Sequence, residues 1–123
     1  MLPAEHRLRR AADFTEVVRR GRRASRPLLT VHLLLPAAGA DAGLPPRAGL
    51  VVSKAVGGSV LRHRTSRRLR HLLPARLAAL PAGARLVVRA APSAGDAASG
   101  ELGSDLDGAL ASAARPRRPR ADG

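Results

Sequence analysis

Residues 53–73 read Ser-Lys-Ala-Val-Gly-Gly-Ser-Val-Leu-Arg-His-Arg-Thr-Ser-Arg-Arg-Leu-Arg-His-Leu-Leu. Lys54, Arg62, Arg64, Arg67, Arg68 and Arg70 stand in this stretch with no acidic residue among them. Guanidinium groups at this density suit phosphate, because each offers a planar fork of donors that also stacks on bases. A helical projection at about 100° per residue divides the stretch into two faces. Leu61, Thr65, Leu69, Leu72 and Leu73 form one stripe, and His63, Arg64, Arg67, Arg70 and His71 form the other. Arg62 and Arg68 flank the apolar stripe, while Val60 falls on the basic side in the first turn. Gly57-Gly58-Ser59 leads in, so the helix is predicted to start at a glycine-rich turn with Ser59 as N-cap. Backbone N–H groups there can face a phosphate. The plainer alternative is a solvated amphipathic helix. Surface helices ordinarily mix both signs of charge, however, and an unrelieved row of cations gains no i,i+4 pairing. The charge therefore favours a polyanionic partner.

These residues do not assemble a catalytic site by their spacing. No His/Cys/Asp/Glu group stands at metal-ligand spacing, and the basic region lacks the paired carboxylates of a metal-dependent nuclease. Ser53 and Lys54 are neighbours in sequence, which does not make a Ser–Lys dyad. His63 and His71 are separated by about 12 Å of helix rise, too far to share one phosphate as general acid and base. Gly57-Gly58 is too short for a phosphate-binding P-loop.

The balance of the whole chain points the same way. It has 123 residues, a formal net charge of +13 and a pI of about 12.0, which fits one basic domain. Lys54 is the only lysine, and no acid occurs between Asp41 and Asp96. That asymmetry places a nucleic-acid face on the middle of the chain. An anionic membrane would attract the same charge but would also want an exposed aromatic or apolar face, and Phe14 is the sole aromatic. The absence of cysteine excludes disulfides and thiolate metal sites, and fits a reducing compartment. No apolar run follows Arg7, Arg9 and Arg10 before Asp13, so no signal peptide is expected, and no stretch is long enough to span a bilayer. The expectation is a cytoplasmic protein with no membrane association.

The elements that must position this chemistry are read as follows. Residues 1–10 are an extended basic arm. Residues 12–20 form a helix with Phe14, Val17 and Val18 on one side, Asp13 and Glu16 in the first turn, and Gly21 as the C′ residue. On periodicity alone Phe14 is a core residue. Residues 22–27 are irregular. Residues 28–35 form a strand whose Thr30 and His32 share one, wet, face. Residues 36–46 form a loop, and 48–53 a second strand with Leu50, Val51 and Val52 in succession, as when both faces are covered. The basic helix ends near Pro74, with a separate short turn over 75–80. A third strand spans 85–90, residues 91–100 are a small-residue loop, and Ser99 caps a helix over 101–114 with Leu102, Leu106 and Leu110 on its buried stripe. Gly103 and Gly108 weaken that helix by about 1 kcal/mol each relative to alanine. Residues 115–123 are a disordered basic tail, leaving 1–114 as a single RNA-binding α/β domain. Strand 48–53, the basic helix and strand 85–90 make a βαβ unit.

The run Ser53-Lys54-Ala-Val-Gly57, followed by Val60-Leu-Arg62-His63-Arg64-Thr-Ser-Arg67-Arg68-Leu-Arg70, resembles the signature of the bacterial ribonuclease P protein subunit. Supporting matches are the basic start, Phe14, Val17 and Gly21, an Arg-x-Gly strand at Arg47–Gly49, and a late apolar strand ending in Arg89. The resemblance implies an α+β two-layer sandwich with a small mixed sheet. Its strand–helix–strand crossover is left-handed, against the usual rule. It also implies that catalysis belongs to a large RNA subunit using Mg²⁺. The protein would bind ribonuclease P RNA through the arginine helix, and the 5′ leader of precursor tRNA in a cleft between first helix and sheet. No obligate protein partner is implied. Carried over by position, the RNA-binding set is Lys54, Arg62, His63, Arg64, Arg67, Arg68 and Arg70. The leader cleft takes Phe14, His32 and Ser53, with His32 at a family tyrosine. No residue is expected to be catalytic or to bind metal. The chain departs from the pattern at His63 and Gly58, where the family has asparagine, and at Ser66 and Ala55, where it has lysine. A structural RNA-binding protein of ribosomal type is the alternative reading: it needs the basic face but not a cleft beside it. A DNA-binding helix protein is a third, without an evident dimerisation element.

Overall fold

The computed structural model describes residues 4–36 and 43–115. Part of the expected 36–46 loop, and the basic tail beyond Arg115, lie outside the described residues. Four strands, β1 Arg22–Ser25, β2 Leu29–Leu34, β3 Arg47–Val51 and β4 Arg85–Ala90, form one mixed sheet in the order β1-β2-β4-β3. The pairs β1–β2 and β2–β4 are antiparallel, and β3–β4 is parallel. Parallel neighbours need a crossover, and α2 (Ser59–Leu77) supplies it, which is the expected βαβ unit carrying the basic helix. Two further helices, α1 Ala11–Arg20 and α3 Ser99–Ala114, complete the α/β architecture.

Strand alternation assigns the two faces of the sheet. Leu29, Val31 and Leu33 of β2, Leu86 and Val88 of β4 and Ala48 of β3 join Leu69, Leu73 and Leu77 of α2 and Leu102 and Leu106 of α3 in the main core. On the opposite face Val87 packs with Val17 of α1, Leu8, Phe14, Leu34 and Val51 in a smaller cluster. That second face is the one that matters for the cleft.

Several local expectations change. Residues 22–25 are strand rather than irregular chain, because β2 supplies their partners, Arg22 opposite Leu33 through Ser25 opposite Thr30. The N-terminal segment is not a free arm: Ala4–His6 is a 3-10 turn, Arg7 bridges alongside Ala48, and the Leu8 N–H donates to Ala48 O at 2.9 Å. It covers the outer edge of β3, which would otherwise present unpaired backbone groups. Gly21 ends α1 in an extended conformation, φ −73°, rather than the left-handed one. Its role is room: a Cβ there would meet Val17 O at 2.4 Å.

The basic helix begins after Gly58, so Ser59 is its first residue and not its cap. It runs through Pro74 to Leu77. Pro74 is exposed, so its ring and the missing i→i−4 bond lie away from the core, while Leu73 and Leu77 stay buried on either side. The last helix likewise starts earlier than expected, with Ala98 at the N-cap and the Glu101 carboxylate accepting the Ala98 N–H at 3.0 Å. Leu102, Leu106 and Leu110 are buried, as their periodicity requires.

Candidate nucleic-acid interface

The turn ahead of α2 is built by its own residues. Ser53 Oγ accepts the Ala55 N–H at 3.3 Å and starts a 3-10 turn, Lys54–Val56. Val56 is buried and anchors it, Gly57 supplies the reversal at φ 145°, and Lys54 is exposed. Thr65, Leu69, Leu73 and Leu77 then fix the rotation of α2 on the sheet. His63, Arg67 and His71 are exposed, whereas Arg62, Arg64, Arg68 and Arg70 are half-buried. His63, Arg67, Arg70 and His71 line one hollow of about 300 Å³. A second, of about 470 Å³, lies among Ser59, Val60, His63, Arg64 and Arg67. Val60 is 78% exposed, as its place on the basic side requires.

The seven residues of the expected RNA-binding set share this helix and turn but not one environment. Arg64 donates from a terminal guanidinium nitrogen to Gly95 O at 2.8 Å, and Arg68 donates to Ala97 O. Both therefore face the 3-10 turn Pro92–Asp96 and the start of α3. The Nε atoms of Arg62 and Arg64 are shielded and have no hydrogen-bond partner. The helical projection groups Arg64 with the exposed face; the structure turns it inward.

Beside the helix is a cavity of about 370 Å³ lined by Arg7, Leu8, Phe14, Ala48, Gly49, Leu50, Ser66 and Arg70. Phe14 is half-buried and also borders a shallower hollow of about 300 Å³ with Thr15, Val18, Arg19, Val51 and Arg89. Its helix is held to the sheet by Arg85, which pairs with Asp13 at 3.3 Å and Glu16 at 2.6 Å. The hydrogen bond and charge of Arg85 hold the Glu16 carboxyl below the ordinary carboxylate value, against a smaller opposing effect of burial. The arrangement offers an apolar floor with arginines at its rim, which suits a base and its phosphate.

The leader-cleft residues separate. Phe14 lines the cavity. His32 lies on the same sheet face, between Arg23 of β1 and Val87 of β4, but is only 4% exposed, and neither ring nitrogen has a partner. The wet face expected for it is absent: burial, then the charges of Arg89 and Arg23, push its pKa below the usual histidine value. Ser53 is exposed but caps its own turn and lines neither hollow around Phe14. Arg7, Ser66 and Arg70 join Phe14 instead. Arg70 is readable from sequence as a cation, but nothing in its spacing from Phe14 brings the two together. Among the described residues no group of three or more His, Cys, Asp or Glu could hold a metal ion, and no helix is long and apolar enough to cross a membrane.

Known proteins are similar to this chain in sequence and in fold. The Ribonuclease P family model matches residues 2–114. The ribonuclease P protein component of Streptomyces bikiniensis is 59% identical over 114 residues, covering 89% of this chain and 93% of that one. Its counterpart from Salinispora tropica is 48% identical over 134 residues, covering 98% of each. The RNase P protein of Staphylococcus aureus has the same fold, with TM-score 0.74 and 24% identity over 89% of this chain and 95% of that one. So does that of Thermotoga maritima, with TM-score 0.70 and 21% identity over 90% of this chain and 100% of that one.

Proposed function

The chain belongs to the ribonuclease P protein family, a protein component with an RNA partner, and on that premise we propose that it positions precursor tRNA on a catalytic RNA. The RNA subunit carries the chemistry and holds the Mg²⁺ that the cleavage uses. The scarcity of acidic residues around the basic helix suits a phosphate-binding surface. The basic row of α2 docks on ribonuclease P RNA, and the cavity beside it takes the single-stranded 5′ leader. The work is done in the cytoplasm.

The observation that carries this reading is the place of Arg70. It lines both the hollow on the basic face and the cavity bordered by Phe14, so one guanidinium joins the basic helix to the cavity beside it. A purely structural RNA-binding protein needs the first and not the second. The test is cleavage of precursor tRNA by a bacterial ribonuclease P RNA at low Mg²⁺, with and without this protein. The expected result is cleavage at a lower Mg²⁺ concentration when the protein is present, and none by the protein alone. An unchanged Mg²⁺ requirement, or cleavage by RNA-free protein, sinks the reading.

A further inference from the structure

We propose that six of the basic residues of α2 divide into two rows with different work. Arg64 and Arg68 are internal straps that position the RNA-binding turn, while His63, Arg67, Arg70 and His71 form the row that meets RNA. This deepens the reading of α2 as an RNA-binding helix and rests on it.

The division follows from where the guanidinium groups go. Residues 64 and 68 are one helical turn apart, so their side chains leave α2 on the same side. Both end on backbone carbonyls, Gly95 O and Ala97 O, at the close of the Pro92–Asp96 turn. That turn in turn supports the segment bearing Lys54. Val56 and Gly95 are both buried, and a Cβ on Gly95 would come within 2.8 Å of Val56 O. The two arginines thus tie α2, the 92–97 segment and the 53–58 turn into one block, which sets the position of Lys54 relative to the helix. The carbonyls they satisfy belong to the buried residues Gly95 and Ala97, where an unpaired acceptor is costly. The other row makes no hydrogen bond or ion pair with the described residues: His63, Arg67 and His71 are exposed, and with Arg70 they surround one hollow. Spacings of three and four residues place these four along a single helix face. His71 enters the RNA-facing set on this geometry, and Arg64 and Arg68 leave it.

Substitutions Arg64→Gln, Arg68→Gln, Arg67→Gln and Arg70→Gln, each measured for affinity to ribonuclease P RNA across a salt series and for Tm, test the division. Arg67→Gln and Arg70→Gln are expected to lower the log–log salt slope by about 0.7–0.9 for each phosphate left without its cation, with Tm unchanged. Arg64→Gln and Arg68→Gln are expected to keep the slope and to lower Tm by about 5 °C or more. A slope lowered in Arg64→Gln and Arg68→Gln, with Tm intact, overturns the proposal. A slope unmoved in all four shows instead that α2 is not the RNA-binding helix, and the division falls with it. Phenylglyoxal modification of the unmutated protein, read by mass spectrometry, does not depend on any variant folding. Arg67 and Arg70 are expected to react and to be shielded by RNA, and Arg64 and Arg68 to react slowly with or without RNA. Fast modification of Arg64 and Arg68 that RNA then blocks counts against the straps.

Discussion

The Phe14 ring packs against Gly49 across the gap between α1 and β3: a Cβ built on residue 49 would come within 2.2 Å of the ring Cζ. The missing side chain is what lets the ring settle into the cleft. Gly49→Ala forces either the ring or the strand to move, and overpacking of this kind costs roughly 1–3 kcal/mol. Denaturant unfolding of Gly49→Ala, Phe14→Ala and the double variant is expected to show that the alanine at 49 costs less once the ring is gone. Additive costs would mean that the ring does not rest there.

The rotation of α2 is open to a paired test. Leu69 is fully buried in the main core, and Val60 is 78% exposed. Leu69→Ala is expected to lose about 2–5 kcal/mol of stability. Val60→Ala is expected to stay within about 0.5 kcal/mol of the parent. Equal or reversed costs in urea unfolding would place the other face of the helix on the sheet.

His32 gives the fold a pH dependence of definite sign. Burial, with Arg89 and Arg23 nearby, lowers its pKa in the folded protein below the ordinary 6.5. The unfolded chain therefore takes up the proton first as pH falls. The stability held by the neutral ring is present in full above about 6.5 and is lost as pH drops through that value toward the depressed one. Glu16 acts in a separate window, because its lowered pKa means that its share is lost only as pH falls below the ordinary 4.5. His32→Leu is expected to flatten the fall in stability as pH drops below the ordinary histidine value of 6.5. Near neutral pH it should cost little, since two unpartnered ring nitrogens leave the interior with it. An unflattened profile would show that other groups titrate in this window.

What the sequence disclosed was what local pattern can carry. The strand at Arg85–Ala90 and the Leu102, Leu106, Leu110 stripe stand where apolar spacing put them. Arg22 and Arg23 conceal β1, because only pairing with β2 makes a strand of them. A lone Leu8 in a basic arm gives no hint of its bond to the distant Ala48. The helical projection correctly separates Leu69 from Arg67, since angle is a property of the helix. It cannot turn Arg64 inward, because Gly95 lies 31 residues away and tertiary packing alone brings it near. His32 fails for the same reason: alternation gives its face, but only tertiary packing shows that the face is covered there.

The cleft itself is tested by the leader. Phe14 lines a cavity rimmed by Arg7 and Arg70, and a ring there can stack on any base, an interaction worth about 1–3 kcal/mol. Only precursor tRNA has a 5′ leader to place on it. Phe14→Ala is therefore expected to weaken holoenzyme affinity for precursor tRNA by that amount and to leave mature tRNA nearly unchanged. Loosening of α1 is the competing cause, so Phe14→Leu, which keeps apolar packing against Val17 and Val87 but removes the aromatic face, is measured beside it. His32→Leu serves as the control, because a ring 4% exposed beneath the sheet surface offers little to stack on. Stacking predicts that Phe14→Leu loses most of what Phe14→Ala loses, for precursor only, while His32→Leu binds both tRNAs as the parent does. If Phe14→Leu binds precursor normally, or if both Phe14 variants lose precursor and mature tRNA equally, Phe14 supports the fold and the leader passes elsewhere.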